Sequence, residues 1–454
     1  MSKVSLSRSL IIAGGGAIAL LALSSQEALA VPSYARQTGL ACEVCHTVFP
    51  ELTPFGRLFK LNGYTLTGLQ QIEAAGGKSL KINAGAPLSV MLQVGMSNEG
   101  KRAPAYQNNN VEFPRQLSLF YAGEISPHMG TFMQITYEQK AAGSSFQWDN
   151  TDVRYANHFT MFGQDQIYGL TLNNNPSVED VWNDTPAWGY PWIHSGEHPY
   201  DHYANGAPGS PPDSMLDSLG GNVAGLGAYT LINNDWYAAL SFYRTAIQGN
   251  LVEPVGAGGG GLADTLDSIN GLAPYWRLAW QHQFDDSYWE IGTFGMQTKG
   301  LDSVGAIDKY TDVGVDTQYE LPIGMDLLAL HAQYLHESQD YGTSVAAGNA
   351  AAPTSNSSDH LNDVHLDGAM HWSHDYELIL AYDNWSGNSD ATLYSWTNNL
   401  SGSPDTAYWT AEADYLPWEN TKLGLQYRAY TKYVGSTTDV SNDNYTFLYG
   451  WFAW

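Results

Sequence analysis

An all-β fold is predicted from this sequence: a transmembrane antiparallel β-barrel of about sixteen strands behind a short α-helical N-terminal segment. Three observations carry the prediction. The composition is poor in charge but rich in glycine and aromatics, period-2 patterning runs from Pro87 to the end, and the connections alternate between short and long. Of 454 residues only 14% are charged, 13% are aromatic and 46 are glycine, with a formal net charge of −27. A soluble domain carries about 25% charged residues. The aromatic and β-branched content excludes a disordered chain. The acidity excludes nucleic acid as a partner, because phosphate binding needs basic patches.

Residues 1–30 read as a secretory signal that is removed. Lys3 and Arg8 give a basic start, Leu10 to Leu23 an apolar stretch, and Ala28-Leu29-Ala30 a cleavage site. The apolar run is too short for a membrane-spanning helix. The mature chain then begins near Val31, exported into a Gram-negative envelope.

Residues 31–82 carry the most specific motif, Cys42-Glu43-Val44-Cys45-His46. C-x-x-C-H is the attachment sequence of a c-type haem. Two cysteines on one turn of chain form thioethers to the vinyl groups, and the following histidine is the proximal axial ligand. These are the only two cysteines in the protein, so no disulfide or zinc site competes for them. A reversible dithiol is the alternative, but the strand that precedes such a motif in thioredoxin-like folds is missing. Downstream, Thr53 caps a predicted short helix, Pro54 suits its first turn and Asn62-Gly63 its end. Phe55, Leu58, Phe59 and Leu61 supply an apolar side to cover a haem face. Arg57 and Lys60 are candidate partners for the propionates, or else a solvated basic face.

Residues 83–454 form the predicted barrel. Strands of about ten residues are expected to begin near Leu88, Gln116, Thr131, Thr151, Asp165, Val223, Trp236, Tyr275, Tyr288, Thr311, Asp326, Asp363, Tyr376, Tyr408, Lys422 and Tyr445. Short links such as Ser126-Pro-His-Met-Gly130 and Asn233-Asn-Asp235 alternate with long ones such as residues 98–114 and 173–221. Short periplasmic turns and long extracellular loops are what an outer-membrane barrel requires. An even strand count returns both barrel ends to the periplasm, the side where haem is attached. The aromatic terminus, Tyr445 to Trp454, resembles the assembly signal of such barrels.

The sixth iron ligand is not fixed by the motif. His128 and Met129, in a predicted periplasmic turn, are the favoured candidates; His158, Met161, His374, Met91 and Met96 are others. Methionine would give a higher potential than a second histidine. Between Arg154 and Arg244 there is neither Lys nor Arg. The long loop inside that interval bears Glu179, Asp180, Asp184, Glu197, Asp201, Asp213 and Asp217 with His194, His198 and His202. As an extracellular loop it would attract cations. A solvated acidic loop is the plainer reading, and no stable metal site is predicted there.

Several segments together resemble the fused cytochrome–porin outer-membrane iron oxidases of iron-oxidising bacteria. They are Tyr34-Ala-Arg-Gln-Thr-Gly39, the C-x-x-C-H motif, Leu52-Thr-Pro-Phe-Gly-Arg57 with Phe59-Lys60 and Asn62-Gly-Tyr64, Asp149 to Tyr155, and Asn173 to Pro191. The resemblance implies oxidation of extracellular Fe(II), one covalent haem c, and single electrons passed to a periplasmic cytochrome or copper protein. It implies an enzyme without acid–base chemistry, with no catalytic group beyond the haem. Physics supports a conduit independently: an apolar band about 25 Å tall needs a redox centre within it, and a sixteen-stranded barrel has room for a small plug. Two other classes stay open at this point: a conduit for another donor or for outward transfer, and a passive porin whose haem is structural. Oligomeric state is not legible.

Overall fold

The computed structural model describes residues 32–47, 50–66, 71–73, 81–83, 86–101, 109–138, 145–161, 163–186, 189–196, 214–246, 268–301, 305–346, 354–394 and 402–454. Sixteen strands form one closed antiparallel ring. In chain order they are β1 (Leu88–Glu99), β2 (Val111–Ser126), β3 (Met129–Glu138), β4 (Ser145–Met161), β5 (Gln164–Asn173), β6 (Val223–Ile232), β7 (Trp236–Thr245), β8 (Ala273–Phe284), β9 (Ser287–Leu301), β10 (Ile307–Ile323), β11 (Asp326–Asp340), β12 (Ser358–Trp372), β13 (Tyr376–Gly387), β14 (Thr406–Trp418), β15 (Thr421–Lys432) and β16 (Tyr445–Ala453). Each pairs with its sequence neighbours, and β16 closes on β1 through Tyr445 opposite Glu99 and Ala453 opposite Met91. Closure removes the exposed strand edges that a lipid environment forbids.

Alternation along each strand sorts side chains between two solvents. On β6, Val223, Gly225, Gly227, Tyr229 and Leu231 point inward, while Leu226 between them points out and is 62% exposed. The outer face repeats this with Leu240, Leu278, Ile291, Val315, Leu380 and Leu425, all exposed. Trp236, Trp289, Tyr376, Tyr415, Trp418 and Trp454 ring the short-turn end of that face, and Tyr376 stacks on Tyr415 at 5.2 Å between centroids. An apolar band with an aromatic rim is the surface of a protein embedded in the outer membrane. Leu380→Arg places a guanidinium near the middle of that band. It should cost about 2–4 kcal/mol, read as a lower urea midpoint for folding into liposomes.

The turns explain the polarity. Seven connections are tight, among them Asn233 and Asn234, which both adopt positive φ (56° and 59°) and suit a hairpin whose strands twist right-handed. The chain enters β1 and leaves β16 at this same end, where Trp454 N–H donates to Val90 O at 2.9 Å. By the short-turn rule this end faces the periplasm.

All sixteen strand positions match those expected. Four strands nonetheless begin four to six residues earlier than patterning alone suggested: β2 at Val111, β4 at Ser145, β10 at Ile307 and β12 at Ser358. Each starts at the end opposite the tight turns, where the wall extends past the lipid and the outer face no longer has to be apolar.

Candidate functional site

The N-terminal segment occupies the lumen at the short-turn end. Three short helices build it: α1 (Pro32–Thr38), α2 (Cys42–Cys45) and α3 (Pro54–Leu61). α2 is one turn, closed by His46 N–H donating to Cys42 O at 2.9 Å. α3 starts as the sequence suggests, with Thr53 Oγ1 accepting from Gly56 N–H at 3.1 Å and Pro54 in the first turn. Gly56 lets α3 lie against the motif, since a Cβ there would sit 2.1 Å from Cys45 O.

Anchors to the wall surround this segment. Cys42 N–H donates to Glu419 Oε2 in a short turn at 2.9 Å. Tyr34 Oη donates to Thr131 O at 2.7 Å, and Thr65 Oγ1 to Pro127 O at 3.3 Å. Arg57 pairs with Glu320 on β10 at 2.6 Å with both groups buried, and lies 4.2 Å from the Tyr288 ring centroid. Tyr64 Oη donates to Asp152 Oδ2 at 2.7 Å, and Lys60 Nζ to Asp180 O at 2.7 Å. The stretches that carry the family resemblance therefore meet in space. Asp152 and Arg154 on β4 hold Tyr64, and the stretch after β5 folds inward to hold Lys60. Removing one partner of a buried ion pair leaves an uncompensated charge, a cost of about 3–5 kcal/mol. Arg57→Ala should thus release the N-terminal segment to limited proteolysis while the barrel keeps its folded electrophoretic mobility.

A cavity of about 400 Å³ lies between this segment and the wall, a size typical of small-molecule and cofactor sites. Cys45 and His46 line it, with Phe55 and Phe59 from α3, Phe120 and Phe132 from the barrel, and Met91 from β1. Trp192 from the inward stretch and Trp451 from β16 complete an aromatic wall. Cys42 is buried at the head of α2 and is not part of the lining. His46 Nδ1 lies 3.0 Å from Glu51 O. With the Nδ1 proton donated to that carbonyl, the lone pair falls on Nε2, the tautomer a metal-ligating histidine adopts. Burial pushes the imidazole pKa down to about 4, so it stays neutral, as a ligand must be. Burial also pushes the Cys45 thiol up to about 11. A redox-active dithiol needs the opposite shift, so the buried setting of Cys45 does not favour that use. Motif, tautomer and apolar cavity fit a c-type haem.

Other expected residues lie elsewhere. Arg57 serves the wall through Glu320 and is not in the lining; Lys60 is. His128 is exposed at its turn beside Tyr155, and Met129 does not reach the cavity. His158 bridges Asp165 and Asn62, His374 stands 4.0 Å from Glu43, and Met96 points outward. Of the turn histidines, His158 and His374 meet the segment at Asn62 and Glu43, which are not part of the cavity lining. Met91, buried on the inner face of β1, is the methionine that shares the cavity with His46.

The long connection also differs from expectation. Glu179, Asp180 and Asp184 are buried in the lumen and not on an extracellular surface. Asp180 accepts from the N–H groups of Trp182, Asp184 and Thr185 and faces Arg277 at 3.4 Å. His194 is half-buried, with its carbonyl accepting from Arg115 Nε. Glu197, Asp201, Asp213, His198 and His202 fall outside the described residues, as does the signal segment.

The inner wall carries what sequence reading missed. β10 turns Asp308, Asp312, Asp316 and Glu320 inward, and β12 does so with Asp359, Asp363 and Asp367, all buried. An acidic residue at every fourth position of a period-2 strand was the available signal. It lines the lumen with negative charge from the long-loop end to the plug, a field that favours cations.

Fold and lumen define a porin-like outer-membrane β-barrel that carries its own N-terminal plug. No protein-family model and no curated protein matches the chain. Among solved structures it is similar to Salmonella typhi OmpF in complex with daunomycin, at 13% identity over 85% of this chain and 100% of that one (TM-score 0.48). It is similar too to an anion-selective porin from Comamonas acidovorans, at 12% identity over 81% and 98% of the two chains (TM-score 0.46). The barrel assignment itself stands on the closed strand pairing of this chain.

Proposed function

We propose that this protein is an outer-membrane electron conduit that oxidises extracellular Fe(II) and passes single electrons to a periplasmic cytochrome or copper protein. The observation that carries the reading is the C-x-x-C-H turn on the wall of an aromatic cavity, inside a barrel, at its short-turn end. A c-type haem, when bound, supplies a one-electron couple within the membrane band. The chain's residues do the rest. Cys42 and Cys45 offer the thioether sulfurs, and His46 offers Nε2 with its ring oriented through Glu51 O. Met91, which lines the same cavity, would offer a thioether sulfur to the iron; Gln93 Nε2 lies 3.9 Å from that sulfur. Lys60 is the cation placed to meet a propionate. The aromatic lining excludes water, which limits reorganisation during transfer. The acidic inner wall draws cations inward.

The test is stopped-flow spectroscopy of purified full-length protein in liposomes. Fe(II) added to the long-loop side should reduce the haem in a single phase, and an oxidised periplasmic-type acceptor on the other side should reoxidise it. Haem that Fe(II) leaves oxidised would sink the proposal. The second reading is a passive porin with a structural haem, and the barrel alone favours it. The plug and the inward stretch after β5 count against it, because they fill the lumen. Large, open single-channel conductance in planar bilayers would restore it.

A further inference from the structure

Beside the plug, and outside the cavity lining, lies a group of side chains that the conduit does not yet use. Glu51, His331 and Asp367 each place one ligand-type atom within 4.8 Å of the others. His371 joins them, its Nε2 3.9 Å from Glu51 Oε2. All four residues are at most 9% exposed. The hydrogen bonds are arranged around the group and leave its centre unmatched. Asp367 Oδ1 meets His331 Nδ1 and its Oδ2 meets His365 Nε2, both at 3.0 Å, which orients both rings. His365 Nδ1 continues to Asp383 Oδ1 at 2.7 Å. Thr47 Oγ1 donates to Glu51 Oε2 at 2.8 Å. His331 Nε2 and both ring nitrogens of His371 have no hydrogen-bond partner among the described residues. His371 Nδ1 stands 3.5 Å from Glu377 Oε1, whereas His331 Nε2 and His371 Nε2, buried beside carboxylates, are costly to leave unmatched unless something accepts a lone pair or supplies charge.

We propose that His331, His371 and Glu51, with Asp367 orienting or completing the set, bind a divalent first-row transition-metal ion inside the barrel. Two imidazoles and a carboxylate suit such an ion and suit magnesium or calcium poorly. An imidazole held by an outer carboxylate, as His331 is by Asp367, is the usual support of a metal ligand. The inward Asp359 and Asp363 on β12 lead from the long-loop end toward the site, so the ion has an acidic approach. Glu51 joins the site to the motif: its carboxylate faces the two histidines while its carbonyl holds His46 Nδ1 at 3.0 Å. Identifying the natural occupant as Fe(II) rests on the conduit reading; the site itself does not.

Mn(II), which does not donate electrons to the haem, is the probe, followed by pulsed electron paramagnetic resonance on the full-length protein in detergent. Bound Mn(II) should show nitrogen-14 couplings from imidazole. The combined His331→Gln and His371→Gln variant should lose them and bind at least tenfold more weakly. His336→Gln, on a histidine outside the group, should change neither reading. Glu51→Gln keeps the fold-bearing hydrogen bond from Thr47 and should also weaken binding about tenfold, which covers the case of a misfolded double variant. Mn(II) bound to the wild type without imidazole coupling, or coupling retained in the double variant, overturns the site. If the coupling is present but Fe(II) fails to reduce the haem, the site stands and the conduit falls. If Fe(II) reduces the haem without any imidazole-bound Mn(II), the reverse holds.

Discussion

Serine at both Cys42 and Cys45 is expected to abolish haem staining of the denatured polypeptide and, with it, the proposed reduction by Fe(II). Thioether attachment has no substitute elsewhere in the chain, because these are its only cysteines. The expected loss in Fe(II)-dependent electron transfer is total within detection, on the order of 10³-fold or more, since the proposed conduit runs through the haem. The single variants separate two roles. Cys45 lines the cavity, whereas Cys42 is buried at the start of the turn, so Cys45→Ser should lower haem retention more than Cys42→Ser. The barrel should survive in each case, because the wall anchors are carried by Tyr34, Arg57, Lys60 and Tyr64. A haem-stained gel and the folded mobility of the same samples decide the matter. Full haem staining of the double serine variant would remove the foundation of the proposed function.

The second large effect belongs to Met91. Replacement by leucine keeps the volume and removes the sulfur, a swap that costs little in packing. If Met91 supplies the sixth ligand to the iron, Met91→Leu should lower the reduction potential by roughly 0.1–0.2 V, within the about 0.8 V range that axial ligands set. It also opens the iron to carbon monoxide and cyanide. Potentiometric titration of wild type and variant in the same detergent reads the shift. His128→Leu is the control. His128 is exposed at a turn and outside the lining, so its replacement should leave the potential in place. A drop in the His128 variant, with Met91→Leu unchanged, would reverse the assignment.

These predictions draw unequally on sequence and structure. C-x-x-C-H needs no tertiary context, because spacing along one turn already brings sulfur and imidazole to one ligand. The helix after it was legible through Thr53, Pro54 and Asn62-Gly63 for the same local reason. Arg57 and Lys60 show where legibility stops. They sit three apart on one short helix and look equivalent in sequence, yet Arg57 meets Glu320, 263 residues away, while Lys60 enters the cavity lining. Which wall a side chain meets depends on how the plug is turned inside the ring, and no local pattern encodes that rotation.

The sequence by itself determined the barrel, its strand number and its sidedness. Lipid outside and water inside impose a two-residue rhythm on each strand, and the asymmetry of the turns is written in their lengths. Only the tertiary structure decided that the connection after β5 folds into the lumen, that Met91 and not His128 shares a cavity with His46, and that Glu51, His331, Asp367 and His371 converge. Those residues come from the plug and two adjacent wall strands, separated by up to 320 positions. Closing the ring and seating the plug is what brings them within a few ångströms, so their proximity is a property of the assembled cylinder and not of any segment of it.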